Sequence, residues 1–115
     1  MRILGFSVMW AKLKQDEFTT FRMKRRDRDW SVGENVQIYF KPRSKYKRKL
    51  GEATIIRKEL RPILAMNGLS DEEARADGFG NRDEMLRWLF KAHKGLPSLM
   101  NKLTLRWGNM SEDKA

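Results

Sequence analysis

Apolar and polar residues alternate with a period of two through most of the first half of the chain, then switch to helical spacing. From Arg2 to Trp10, Leu4, Phe6, Val8 and Trp10 share one side and Ile3, Gly5, Ser7 and Met9 the other, which predicts a first strand with a buried face. Ala11 to Glu17 is short and charged, compatible with one or two helical turns. Phe18 to Arg25 is rich in aromatic and β-branched residues and alternates again, predicting a second strand. With Phe21 and Met23 turned to the core, Thr20, Arg22 and Lys24 share its other surface. Gly33-Glu34 is a turn signal before the alternation Val36, Ile38, Phe40, a third strand. Pro42 ends it. The basic stretch to Lys49 then reads as a hairpin-like loop into a fourth strand, Leu50 to Arg61, which Pro62 closes.

Ser70 with Glu73 three residues on has the capping-box pattern, and Asp71, Glu72 and Glu73 sit where the helix dipole favours acids. Asp77-Gly78 ends this short helix. Asn81 with Glu84 repeats the cap for a longer helix to about Lys94, with Met85, Leu86, Leu89 and Phe90 as its apolar stripe and Gly95 and Pro97 as its stop. Leu103 to Trp107 reads as a last strand and 108–115 as a flexible tail. Five strands with two or three helices predict a single α+β domain over 1–107, its small mixed sheet curled into a barrel.

The chain has 115 residues, and 40% hydrophobic content separates it from compositions that stay disordered. With no cysteine and one histidine there is no disulfide framework, thiol nucleophile or paired-His zinc site, so neither a metal nor a cofactor is expected. No apolar run approaches the roughly 20 residues of a membrane-spanning helix. The apolar start lacks a small-residue cleavage site, so a cytoplasmic location is expected.

Charge changes the picture more. The formal net charge is +10, and residues 1–61 hold 17 Lys and Arg against 7 Asp and Glu, leaving the second half neutral. One cluster is Arg22, Lys24, Arg25, Arg26 and Arg28 around Asp27; the other is Lys41, Arg43, Lys45, Lys47, Arg48 and Lys49 around Tyr46, with no acid. Either alone suits a solvated loop. Together they point to phosphate contacts, driven by counterion release, and so to a polyanionic partner. Membrane attachment is disfavoured because the cations lie on strands and loops, not along an amphipathic helix.

The order of these elements resembles the ASCH domain family, a branch of the PUA-like β-barrel superfamily associated with RNA. Ser7-Val8-Met9-Trp10 is similar to the family's first strand and exit, and Thr20-Phe21-Arg22 to a polar residue followed by an arginine on its second strand. Val32 to Tyr39 resembles its glycine-acid turn into the third strand, the most specific segment. Leu50-Gly51-Glu52-Ala53, Asp77-Gly78-Phe79 with the following helix, and Leu103-Thr104-Leu105 complete the likeness. Some family members use a lysine, a threonine on that strand and a distant glutamate to hydrolyse an acylated cytidine nucleoside. Here Gln15-Asp16-Glu17-Phe18 stands where the lysine is expected, and the segment before it is about a helical turn short, which leaves Lys12 or Lys14 as substitutes.

The leading expectation is a small RNA-binding domain, with DNA as a further possibility and the oligomeric state open. Its nucleic-acid contacts are Arg22, Lys24, Arg25, Arg26, Arg28, Trp30, Tyr39, Lys45, Tyr46, Lys47, Arg48 and Lys49, beside a nucleotide-sized cleft. Trp30 and Tyr46 are flanked by cations, as base-stacking rings are. Arg22 suits either phosphate or an internal ion pair with Glu34 or Glu52. The alternative is a hydrolase acting on acetylated cytidine or on RNA, with Thr20 as nucleophile and Glu17, Lys12 or Lys14 as its base; a strand threonine is also an ordinary β-former. His93 reads as a surface or capping residue, and Trp10, Trp88 and Trp107 as core.

Overall fold

The computed structural model describes residues 1–65, 68–95 and 97–110. Its elements run β1 (Arg2–Phe6), a 3₁₀ turn (Ala11–Lys14), β2 (Glu17–Arg22), β3 (Asn35–Phe40), β4 (Arg48–Arg61), α1 (Asp71–Asp77), α2 (Arg82–His93) and β5 (Met100–Met110). The fold is α+β, with one mixed five-stranded sheet in the order β1-β3-β4-β5-β2. β1 lies parallel to β3 and the other neighbours are antiparallel.

The sheet is curled but not closed into a barrel. Register shifts at Ile38/Tyr39, Glu52/Ala53 and Ile55/Arg57 bend β3 and β4. β1 and β2 remain the two edges, without a backbone hydrogen bond between them among the described residues. A side chain spans the gap instead: the Arg22 guanidinium on β2 donates through Nη2 to the Gly5 carbonyl on β1 at 2.8 Å. Phe6 and Phe18 meet beside it edge to face, 6.1 Å between centroids.

Two apolar clusters follow from the alternation. Leu4, Phe6, Phe18, Val36, Ile38, Ile55, Leu103 and Leu105 fill the concave side of the sheet. Phe21, Ile63, Leu69, Ala74, Phe79, Met85, Leu89 and Met100 form the second, where α1 and α2 cover the end of β2 and β5. Both faces of β2 are therefore occupied. Thr20 is buried on the concave side with Phe18, while Phe21 faces the helices, so Thr20 and Arg22 do not share an open outer surface with Lys24.

The helix ends are formed as their sequences dictate. Ser70 and Glu73 complete a reciprocal capping box, Gly78 caps α1 in the left-handed region at φ 115°, and the Asn81 side chain caps α2. The last strand is longer than expected: Gly51 pairs with Met110 and Glu52 with Asn109, so 108–110 belong to the sheet, while 111–115 lie outside the described residues. No helix among the described residues is long and apolar enough to cross a membrane.

Candidate functional site

A cleft of about 830 Å³ opens where the two apolar clusters meet, between β1 and β2 on one side and α2 on the other. Trp10, which packs against both clusters, stands at the junction. Gly78 has to be glycine here for a second reason: a Cβ would lie 2.5 Å from the Trp10 ring. The close approach sets the end of α1, and with it Asp77, against the sheet.

The floor is polar and buried. Lys12, from the 3₁₀ turn, places Nζ 2.8 Å from Asp77 Oδ1, with both side chains under a tenth exposed. Burial pushes the Lys12 ammonium down from its ordinary value despite the pull of Asp77, and the charge of Arg22 adds to that fall. Burial likewise pushes the Asp77 carboxyl up, against Lys12 and Arg22. Arg22 completes the floor. Its Nε donates to Thr20 Oγ1 at 3.1 Å, and its guanidinium lies 4.6 Å from the Phe6 ring centroid. Burial brings it down to about 10, which leaves it charged at neutral pH.

One wall is aromatic. Trp10, Phe79 and Trp88 pack as a group, with centroids 5.0 Å apart for Trp10–Phe79 and 5.6 Å for Phe79–Trp88. Trp88 is 41% exposed and lines the cleft with its neighbours on α2, His93 among them. The opposite rim is cationic: Arg25, Lys41 and Arg43 line it beside Pro42 and Ser44.

The residues expected from the sequence are distributed unevenly. Thr20, Arg22, Arg25 and Trp30 line the cleft. Trp30 is only 4% exposed, covered by the guanidinium of Arg2 at 4.4 Å and of Arg25 at 5.4 Å, so its faces are taken by the protein itself. Glu17 is outside the cleft, bonded to Arg106 at 2.8 Å. The period-two geometry of a strand sends residues three apart to opposite faces, so Glu17 and Thr20 are not brought together. Lys14 is exposed and Lys12 occupies the floor. Glu34 and Glu52, considered as partners of Arg22, bind Arg2 at 2.6 Å and Lys49 at 3.0 Å. Arg28 joins Glu34 at 3.5 Å and Arg25 joins Asp27 at 3.1 Å. Lys24, Arg26, Lys45, Tyr46, Lys47 and Arg48 are exposed, and Tyr39 is half-buried away from the cleft.

Asp77 was legible only as the end of a helix. Its one signal is electrostatic: an acid in the last turn opposes the helix dipole, and such a residue needs another reason to be there. His93 and Trp88 fall on the cleft because α2 presents its 85-88-89-92 face to the sheet.

Among the described residues no group of His, Asp and Glu could hold a metal ion. Comparisons with family models, curated proteins and solved structures found no match to this chain.

Proposed function

We propose that the cleft holds one nucleotide of a single-stranded RNA, with the base against the Trp10–Trp88 wall and the backbone along the Lys41–Arg43 rim. The observation that carries this reading is the union of three chemistries in one cavity: an aromatic wall, a rim of cations and a buried polar floor. Stacking on aromatic faces contributes about 1–3 kcal/mol per base, and phosphate contacts supply the salt-dependent remainder. A cleft walled on both sides suits an unpaired base better than a duplex. The resemblance of the sequence to ASCH domains supports RNA over DNA.

The test is binding of single-stranded RNA across a range of salt. Affinity is expected to fall as salt rises, and replacing Lys41 and Arg43 with Ala to flatten the dependence of log affinity on log salt by roughly 0.7 for each phosphate that is no longer neutralised. A salt-independent affinity, or one untouched by both substitutions, overturns it. Tighter binding to DNA of matched sequence would reassign the partner.

A second reading is favoured by the floor itself. Thr20, Lys12 and Asp77 line the same cleft, and Lys12, once its proton has passed to the hydrogen-bonded Asp77, would be the base for a threonine hydroxyl attacking an acyl carbon. Hydrolysis of N4-acetylcytidine, abolished by Thr20→Ala, is its expected outcome. Absence of turnover, or turnover indifferent to that substitution, removes it.

A further inference from the structure

The 41–48 turn is built to hold its shape. Lys41, in the left-handed region at φ 47°, donates its N–H to the Phe6 carbonyl at 2.8 Å. Ser44 N–H returns to Lys41 O and Lys47 N–H to Ser44 O, each at 3.1 Å, and Tyr46 N–H donates to Ser44 Oγ at 3.0 Å. Pro42 rests on β1 so closely that a Cβ at Gly5 would lie 2.5 Å from its Cγ. The turn is thereby fixed to the strand that forms the cleft's edge.

On this fixed turn sits Tyr46, at 65% the most exposed aromatic residue among those described, with the Lys45 ammonium 5.1 Å from its ring centroid. Core packing does not account for its position. Among the described residues no carboxylate pairs with Lys41, Arg43, Lys45 or Lys47, whereas Arg25, Arg28 and Lys49 each have an acid partner. Four cations without an acid partner, all within seven residues of chain, therefore stand between the cleft rim and this ring. Ser44 lines the cleft and Tyr46 follows two residues later, at most about 7 Å along the chain, the scale of one step between neighbouring nucleotides.

We infer that the ligand is a single-stranded RNA segment of at least two nucleotides, one seated in the cleft and its neighbour stacked on Tyr46, with Arg43 at the phosphate that joins them. The inference rests on the reading of the cleft as a nucleotide site and adds a second base position to it. Pre-organisation of the turn means that little is lost in ordering the ring when the second base arrives.

The experiment compares wild type, Tyr46→Ala and Tyr46→Trp by equilibrium titration with ribonucleoside 5′-monophosphates and the corresponding homodinucleotides. Dinucleotides are expected to bind wild type more tightly than monophosphates. Tyr46→Ala should weaken dinucleotide binding roughly 5- to 150-fold and leave monophosphate binding unchanged, and Tyr46→Trp should keep the dinucleotide affinity. Equal affinity of wild type for both lengths, or a Tyr46→Ala effect equal on both or absent from both, overturns the second position and leaves the cleft reading standing. Failure of every probe to bind folded wild type overturns the cleft reading and this inference with it.

Discussion

Asp77 is the residue on which the floor depends. Its carboxylate is the hydrogen-bonded counter-charge of Lys12, and both are almost fully buried. Removing one partner of such a pair leaves the other charge buried alone, so Asp77→Asn is expected to cost about 3–5 kcal/mol, whereas Lys12→Met with Asp77→Leu should cost much less. Urea denaturation of Asp77→Asn, Lys12→Met and the double variant checks this; a double-variant loss as large as the sum of the single losses would mean that the two side chains act separately. Asp29 sets a different dependence. Burial pushes its carboxyl up, but hydrogen bonds from Lys58 and from the N–H groups of Arg25 and Trp30 outweigh that and hold it at about 2. A carboxyl depressed on folding contributes stability above its unfolded value of 3.8 that is lost as pH falls through about 2. Asp29→Asn should therefore lower stability at neutral pH and flatten its decline between those values; an unchanged acid profile would exclude Asp29 as its source.

At the scale of elements, α1 matters less for its own burial than for what its last turn carries. The Ser70–Glu73 box holds its first turn, and Ser70→Ala is expected to cost about 1 kcal/mol in thermal unfolding, with a loss near zero showing that packing alone holds the helix. Both helices, their caps and the strand alternations were legible in the sequence because each rests on neighbours within a few positions. The parallel pairing of β1 with β3 and the placing of β2 beside β5 were not, since partners 34 or more residues apart leave no local mark. The same divide runs through the site. Thr20 and Arg22 were recognisable as one face of a strand, but Lys12 and Asp77, 65 positions apart, meet only through the fold. Trp30 looked available because its sequence neighbours are polar; Arg2, at the start of β1, is what covers it.

Across the whole molecule, the charge and the open sheet are connected. The sequence's +10 is partly neutralised in place along the exit of β2, where Asp27, Asp29 and Glu34 take up cations, and remains uncompensated along the 41–48 turn. Arg22→Met keeps an apolar stem over Phe6 but removes the donor to Gly5 O and the donor to Thr20, so the two edges lose the polar link between them. The variant is expected to retain its far-ultraviolet dichroism and to scatter light increasingly with concentration; a variant as monodisperse as wild type would mean that the link is dispensable. Exposed strand edges are templates for pairing with another chain. In this protein the two edges are tied together at one point, where Arg22 on β2 donates to the Gly5 carbonyl on β1, and are concealed there from a second molecule. An occupant of the cleft would strengthen that concealment, and the protein without its ligand is the form in which self-assembly through strand edges should be sought.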